Sequence, residues 1–188
     1  MTGELIRSFI AIEVSNPSVL QEISEAQRVL LGTGADLKAV EPQNIHVTLK
    51  FLGDIELSQV DGVYEVMKKI SVKSFEIEFK GLGVFPSLSR MNVIWVGITR
   101  GYEKLSRIAA ELDEGLKPLG FQPENRKFSA HLTIIRVKSQ RNREALASEA
   151  EKFTDREFGV VAADSLKLKK SVLTPQGPIY STLREVNF

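Results

Sequence analysis

His46-Val47-Thr48-Leu49-Lys50-Phe51-Leu52-Gly53 (HVTLKFLG) governs how the rest of the chain is read, because its opening recurs 85 residues later as His131-Leu132-Thr133-Ile134-Ile135-Arg136 (HLTIIR). Both copies run His, apolar, Thr, apolar, and together they hold the only 2 histidines of the 188 residues. Two such matches by accident amount to about 1 in 10,000 against average residue usage. In an extended strand, residues i and i+2 share a face. His46 and Thr48 therefore project one way, as do His131 and Thr133, while Val47, Leu49, Leu132 and Ile134 pack the other way.

The elements around the two motifs repeat as well. A strand is expected at about residues 5–14, then a helix opened by Asn16 and Pro17, with Leu20, Ile23, Leu30 and Leu31 on one face and Gly32 as its stop. The first motif strand comes next at about 45–52, a helix at about 58–70 with Val63, Val66, Met67 and Ile70 inward, and strands at about 73–80 and 92–99. The order then recurs as a helix at about 101–118, a strand at about 130–137, a weaker helix near 141–151, and strands at about 164–171 and 178–187. A shift of 85 residues lays helix on helix, strand on strand and His46 on His131. The expected fold is α+β: two pseudo-symmetric lobes, each an antiparallel sheet with helices on its outer face, around a central cleft. Residues 1–188 form a single bilobal domain with an internal duplication on this reading, since the period is too long and too few for a solenoid.

Composition narrows the chemistry. With 25 Lys+Arg against 24 Asp+Glu, the net charge of +1 argues against coating duplex DNA by bulk electrostatics. The absence of cysteine removes disulfides, thiolate nucleophiles and cysteine-ligated metals. The first apolar stretch, Leu5 to Val14, is broken by Arg7 and Glu13 and lacks the layout of a secretion signal. No run reaches the length of a membrane span. A soluble cytoplasmic protein is expected, with no membrane partner.

Two imidazoles beside two hydroxyls in one cleft suit phosphate chemistry. An unperturbed histidine has a pKa of about 6.5, so one ring can accept a proton while the other donates one. Threonine offers a neutral donor to phosphoryl oxygens. A metal site is disfavoured, because two histidines without a third ligand in a recognisable spacing are too few. A Ser-His-Asp hydrolase lacks its Gly-x-Ser-x-Gly elbow, and Gly81-Leu82-Gly83 reads as a turn between strands rather than a phosphate loop. By residue chemistry alone, which histidine is acid and which is base stays open.

The residues resemble the 2H phosphoesterase superfamily, named for two His-x-Thr-x motifs, and within it the RNA 2′,3′-cyclic phosphodiesterases, also called 2′-5′ RNA ligases. Arg7 to Ile12 (RSFIAI) is similar to the family's opening strand, HVTLKFLG to its first motif and HLTIIR to its second, and the ending from Leu168 through Ser171, Gly177 and Tyr180 is similar too. Ala130 stands where relatives often carry proline. The resemblance implies metal-independent, cofactor-free hydrolysis of a terminal 2′,3′-cyclic phosphate to a 2′-phosphomonoester, with reverse 2′-5′ ligation by some members. It implies His46 as proton donor, His131 as proton acceptor, and Thr48, Thr133 and Arg136 as phosphate-binding residues. The partners would be RNA 3′ ends, tRNA fragments among them, met by a monomer. Two alternatives stand beside it: a non-catalytic RNA-end or nucleotide-binding module, and a 2H phosphodiesterase acting on another small cyclic phosphate.

Strict alternation sets Arg136 on the face opposite His131, so it reaches phosphate only if the strand ends, bends or bulges near Ile135. By the same alternation Lys50 shares the face of His46 and borders the cleft. Arg126 and Lys127 could guide RNA, with surface solvation the default for each, and Phe9 serves either as a base-stacking ring or as core.

Overall fold

The computed structural model describes residues 5–124 and 127–188. Strand β1 (Leu5–Glu13) leads to helix α1 (Pro17–Leu31), a short strand β2 (Leu37–Ala39), the first motif strand β3 (His46–Glu56) and helix α2 (Val60–Lys68). The hairpin of β4 (Phe75–Ser87) and β5 (Arg90–Ile98) comes next, then helix α3 (Tyr102–Leu116), the second motif strand β6 (Leu132–Val137) and helix α4 (Arg143–Glu151). Strands β7 (Glu157–Ala163), β8 (Ser165–Thr174) and β9 (Gly177–Asn187) close the described chain.

Helix α1 starts where local chemistry dictates. The Asn16 side-chain oxygen accepts from the backbone N–H groups of Ser18 and Val19 at 3.0 and 3.2 Å, satisfying two donors that the first turn leaves over, and Pro17 gives up none at the first helical position. Val19, Ile23, Ala26 and Leu30 recur at helical spacing and are buried.

The strands run in the order β7-β4-β5-β6-β3-β1-β8-β9, with β2 on the far part of β6. The sheet is all antiparallel and curls into two lobes, β7-β4-β5-β6 and β3-β1-β8-β9, which meet at the pair Val47↔Leu132. The lobes are not the two consecutive halves of the sequence. Helices α1 and α4 cover the lobe of β6, while α2 and α3 cover the lobe of β3. Strands β4 and β5, from the first half, pair with β7 and β6 of the second, and β8 from the second half pairs with β1 of the first. Each lobe thus borrows from the other half of the chain.

Two features depart from the sequence reading. Strand β7 has no counterpart in it, since Gly159, Ala162 and Ala163 have weak strand preference. It forms because β4 offers it an edge and Phe158, Val161 and Ala163 bury against the core. Gly81-Leu82-Gly83 is not a turn: it lies inside β4. A Cβ on Gly83 would sit 2.1 Å from the indole of Trp95, so this glycine is the space into which Trp95 packs. Among the described residues no helix is long and apolar enough to cross a membrane.

Candidate active site

The junction of the lobes builds the site. Val47 and Leu132 are paired and fully buried. Their neighbours on the opposite, cleft-facing side are therefore His46 across from Thr133 and Thr48 across from His131. Directly opposed residues of an antiparallel pair have Cβ atoms about 4.5–5.5 Å apart and diagonal ones about 7–8 Å. The two imidazoles thus occupy diagonal corners of a four-residue cluster, each beside the threonine of the other lobe. A tetrahedral anion on this face would meet a ring on either side.

The two rings are wired alike. His46 Nδ1 donates to the carbonyl oxygen of Asn44 at 2.7 Å, and His131 Nδ1 donates to that of Ser129 at 2.7 Å. Each bond goes back two residues and puts the Nδ1 proton on a carbonyl, so that in the neutral ring Nε2 is the nitrogen left to accept a proton. Asn44 also donates from its side chain to the Pro178 carbonyl at 3.1 Å, tying the approach of β3 to the start of β9. Tyr180, two residues further on, packs edge-on to His46 with ring centres 5.3 Å apart, and Phe9 lies 4.8 Å away. His131 has Phe85 at 5.0 Å and Trp95 at 6.0 Å.

The charges around the rings are unequal. Burial lowers the pKa of His46 to about 4; the bond to Asn44 opposes this, the nearby Lys169 and Arg136 lower it further, and Glu13 raises it. Burial likewise raises the Tyr180 phenol, while the charges of Arg136 and Arg7 pull it down.

A bulge in each motif strand sets the facing of the residues beyond the threonine. Along β1, Ala11 pairs with Thr48 but Ile10 with Lys50, so Leu49 is an extra residue on β3. Along β5, Trp95 pairs with Thr133 but Ile94 with Ile135, so Ile134 is the extra residue on β6. A single inserted residue reverses the alternation beyond it. Arg136 is therefore on the cleft face, and its charge acts on both His46 and Tyr180. The same reversal turns Lys50 away from the cleft, contrary to the expectation that it borders it. Lys50 is buried, 2.5 Å from Asp113 on α3 and 2.8 Å from the Gln122 carbonyl. Phe51, the counterpart of Arg136, takes the cleft side and is 64% exposed.

Phe9 is packed among His46, Phe51 and Tyr180 and is 4% exposed, so it is a wall of the site rather than a free stacking surface. Lys127 is exposed, and Arg126 lies outside the described residues. A groove of about 710 Å³ opens beside Phe51, between Lys50–Ile55 and residues 120–124, next to the cluster of His46, Thr48, His131 and Thr133 rather than around it. Among the described residues no three His, Cys, Asp or Glu side chains converge as a metal site would require.

Sequence reasoning missed the layer under His46. Glu13 lies directly across β1 from it and is ion-paired to Lys169 at 3.2 Å and to Lys167. The alternation Leu166-Lys167-Leu168-Lys169 carried a signal, two lysines on one face of a strand, but nothing in it said that the face was the cleft.

Comparison with known proteins agrees with this architecture. The family model described as "LigT like Phosphoesterase" matches the chain twice, over residues 12–95 and 96–180. An RNA 2′,3′-cyclic phosphodiesterase of Aeropyrum pernix is 42% identical over 154 residues, covering 82% of this chain and 88% of the relative. One of Aquifex aeolicus is 37% identical over 185 residues, 97% of each chain. Among solved structures, TT0787 of Thermus thermophilus shares the fold with a TM-score of 0.81 at 23% identity over 97% of both chains, and E. coli LigT in its apo form with 0.78 at 22% over 98% of both. The fold and the doubled motif are those of an enzyme that acts on phosphate esters. The chain belongs to the LigT-like phosphoesterase family.

Proposed function

We propose that this enzyme opens the 2′,3′-cyclic phosphate at RNA 3′ ends, tRNA fragments included, to leave a 2′-phosphomonoester, by two-histidine acid–base chemistry without a metal. The observation that carries the reading is the cluster of His46, Thr48, His131 and Thr133 on one face, with one imidazole on either side of the space a phosphate would fill. In-line displacement needs a base on the entering side of phosphorus and an acid on the leaving side. His131 Nε2 takes the proton of the attacking water, the new P–O bond forms, the bond from phosphorus to O3′ breaks, and His46 Nε2 gives its proton to O3′. Thr48, Thr133 and Arg136 hold the non-bridging oxygens. A ribose 5′-hydroxyl in the place of water opens the cyclic phosphate by the same displacement to give a 2′-5′ linkage, and the reverse of that step cleaves such a linkage back to the cyclic phosphate.

The named relatives act on RNA 2′,3′-cyclic phosphates, and E. coli LigT has been crystallised with 3′-AMP and with phosphate, which supports a nucleotide phosphate as ligand. The exposed ring of Phe51 and the groove beside it offer a surface for the rest of the nucleotide. Twin motifs with twin bulges support an internal duplication, its copies exchanging strands across the lobes.

The test is turnover of an RNA oligonucleotide ending in a 2′,3′-cyclic phosphate, monitored by appearance of the 2′-monoester. His46→Ala and His131→Ala are each expected to lose about 10²–10⁴-fold in kcat, the usual worth of a positioned acid or base. Unchanged turnover in either variant, or binding of the cyclic end without new monoester in the wild type, overturns the reading. A panel of other small cyclic phosphates turned over faster would redirect it to a different ester.

A further inference from the structure

The two lobes place twin histidines over unlike floors. Next to Thr48, β1 carries Ala11, whose small side chain is flanked on β8 by Lys167. Next to Thr133, β5 carries Trp95, flanked on β4 by Gly83. One lobe fills the space with a small centre and long charged neighbours, the other with a large indole over a glycine. Across from His46 stands Glu13; continuing the register past Val96↔Leu132 sets Gly97, with no side chain, across from His131. Lys169 is 5% exposed and holds Glu13 at 3.2 Å, while Lys167 holds its other oxygen and lies 3.8 Å from Glu185. Glu13 is shared between the two ammonium groups, and Glu185 offsets the outer one, Lys167. Lys169 is thus the buried cation of a charge-balanced group, and Arg136 adds an excess positive charge facing His46 from the other lobe.

We propose that Lys169, buried and held by Glu13 in one lobe alone, is a positioning element for His46: together with Arg136 from the other lobe it opposes an imidazolium there until a bound phosphate offsets the two cations. Protonation of His46 is then coupled to substrate binding. This rests on the proposed two-histidine reaction and refines it: the donor is loaded with its proton as the anion enters. The charged and titratable groups on this face come from four strands: Lys169 and Lys167 from β8, Glu13 from β1, Arg136 from β6, and Glu185 and the Tyr180 phenol from β9. Arg136 and Lys169 both disfavour the charged ring in the free protein, and both are partly neutralised by a phosphate between the lobes. The low pKa of free His46, about 4, has burial as its chief cause, with Lys169 and Arg136 lowering it further and Glu13 opposing them.

The experiment tracks the His46 Cε1–H resonance against pH, free and saturated with a nucleoside 2′-monophosphate, in the wild type, Lys169→Met, Lys169→Arg and Glu13→Gln. The wild-type midpoint is expected near 4 without ligand and at least one pH unit higher with it. Lys169→Met should raise the free midpoint by half a unit or more and shrink the ligand-induced rise, while Lys167 keeps Glu13 paired. Lys169→Arg should behave as wild type, and Glu13→Gln should move the free midpoint downward. Calorimetry in buffers of different ionisation enthalpy should show proton uptake on binding below neutrality, reduced in Lys169→Met. Midpoints unmoved by Lys169→Met, or moved in the same direction by Lys169→Met and Glu13→Gln, overturn the proposal. These readouts need no turnover, so they fail or hold separately from the assay of His46→Ala and His131→Ala.

Discussion

The lobe of β3 and the lobe of β6 carry the same motif, the same ring wiring and the same bulge, yet they anchor the bulge differently. In the β6 lobe, Gln27 on α1 is buried and donates to the carbonyl of the bulge residue Ile134 at 2.8 Å and to that of Val40 at 2.9 Å, so a neutral amide ties helix to strand. In the β3 lobe the residue after the bulge, Lys50, is held to Asp113 on α3, and Asp113 Oδ1 has no partner but that ammonium. The comparison shows that the bulge is the shared requirement and the tie is free to vary. What must be kept is the turn of the strand that brings position 136, or 51, onto the cleft.

The difference can be broken at its charged end first. Asp113→Ala strips a buried ammonium of its counter-ion and is expected to cost about 3–5 kcal/mol of stability by urea denaturation. Replacing both, Lys50→Met with Asp113→Leu, should recover most of the loss, since an apolar pair of similar volume is often neutral.

The next effect belongs to His46. Its folded pKa, about 4, lies below the unfolded value of about 6.5, so between these pH values the unfolded chain binds a proton that the folded one refuses. Stability should therefore fall as pH drops from about 6.5 to about 4, by up to about 3 kcal/mol, and then level off in this component. Glu13 also has a lowered pKa, and its contribution is lost at still lower pH, as the medium falls through the carboxylate range. Urea midpoints across this window should lose much of their slope in His46→Gln. An equal slope in His46→Gln and the wild type would contradict the assignment.

The smallest effects probe the neutral lobe. Gly83→Ala forces a methyl into the Trp95 ring and should destabilise by about 1–3 kcal/mol, with a change in tryptophan fluorescence reporting the displaced indole. Gln27→Leu, which removes both donated hydrogen bonds, should cost about 1–3 kcal/mol, less than Asp113→Ala. A cost equal to or above that of Asp113→Ala would mean that the two ties are equivalent after all.

Much of this architecture is readable in the residues. The recurrence of His-x-Thr-x is enough to place both histidines and both threonines on one face, because i and i+2 alternation holds over three residues. It fails one residue later. Leu49 and Ile134 are ordinary apolar residues with no glycine to announce a bulge, so Lys50 is assigned to the cleft and Arg136 away from it, the reverse of what the bulges produce. Gly83 misleads for a related reason: its cause is tertiary, the indole of a neighbouring strand, and a glycine required for packing looks the same in sequence as one required for a turn. Strand β7 is hidden because its residues are individually poor strand formers that depend on the waiting edge of β4. The lysines beneath His46 show their shared face, but only the pairing of β8 with β1 reveals that this face looks into the site.

The exchange of segments between the lobes bears on how the chain matures on the ribosome. When the first ninety or so residues have emerged, α1 has no β6 or β7 to cover and β1 lacks β8 as a neighbour, so neither layer can close on itself. Completion waits for the last-made hairpin, and contacts so distant along the chain favour slow, late closure over stepwise assembly. Shortening the chain from its C-terminal side should therefore strip β1 of its neighbour β8 and expose the working face of the His46 lobe to misassociation, even though that histidine is among the first-made parts of the cleft.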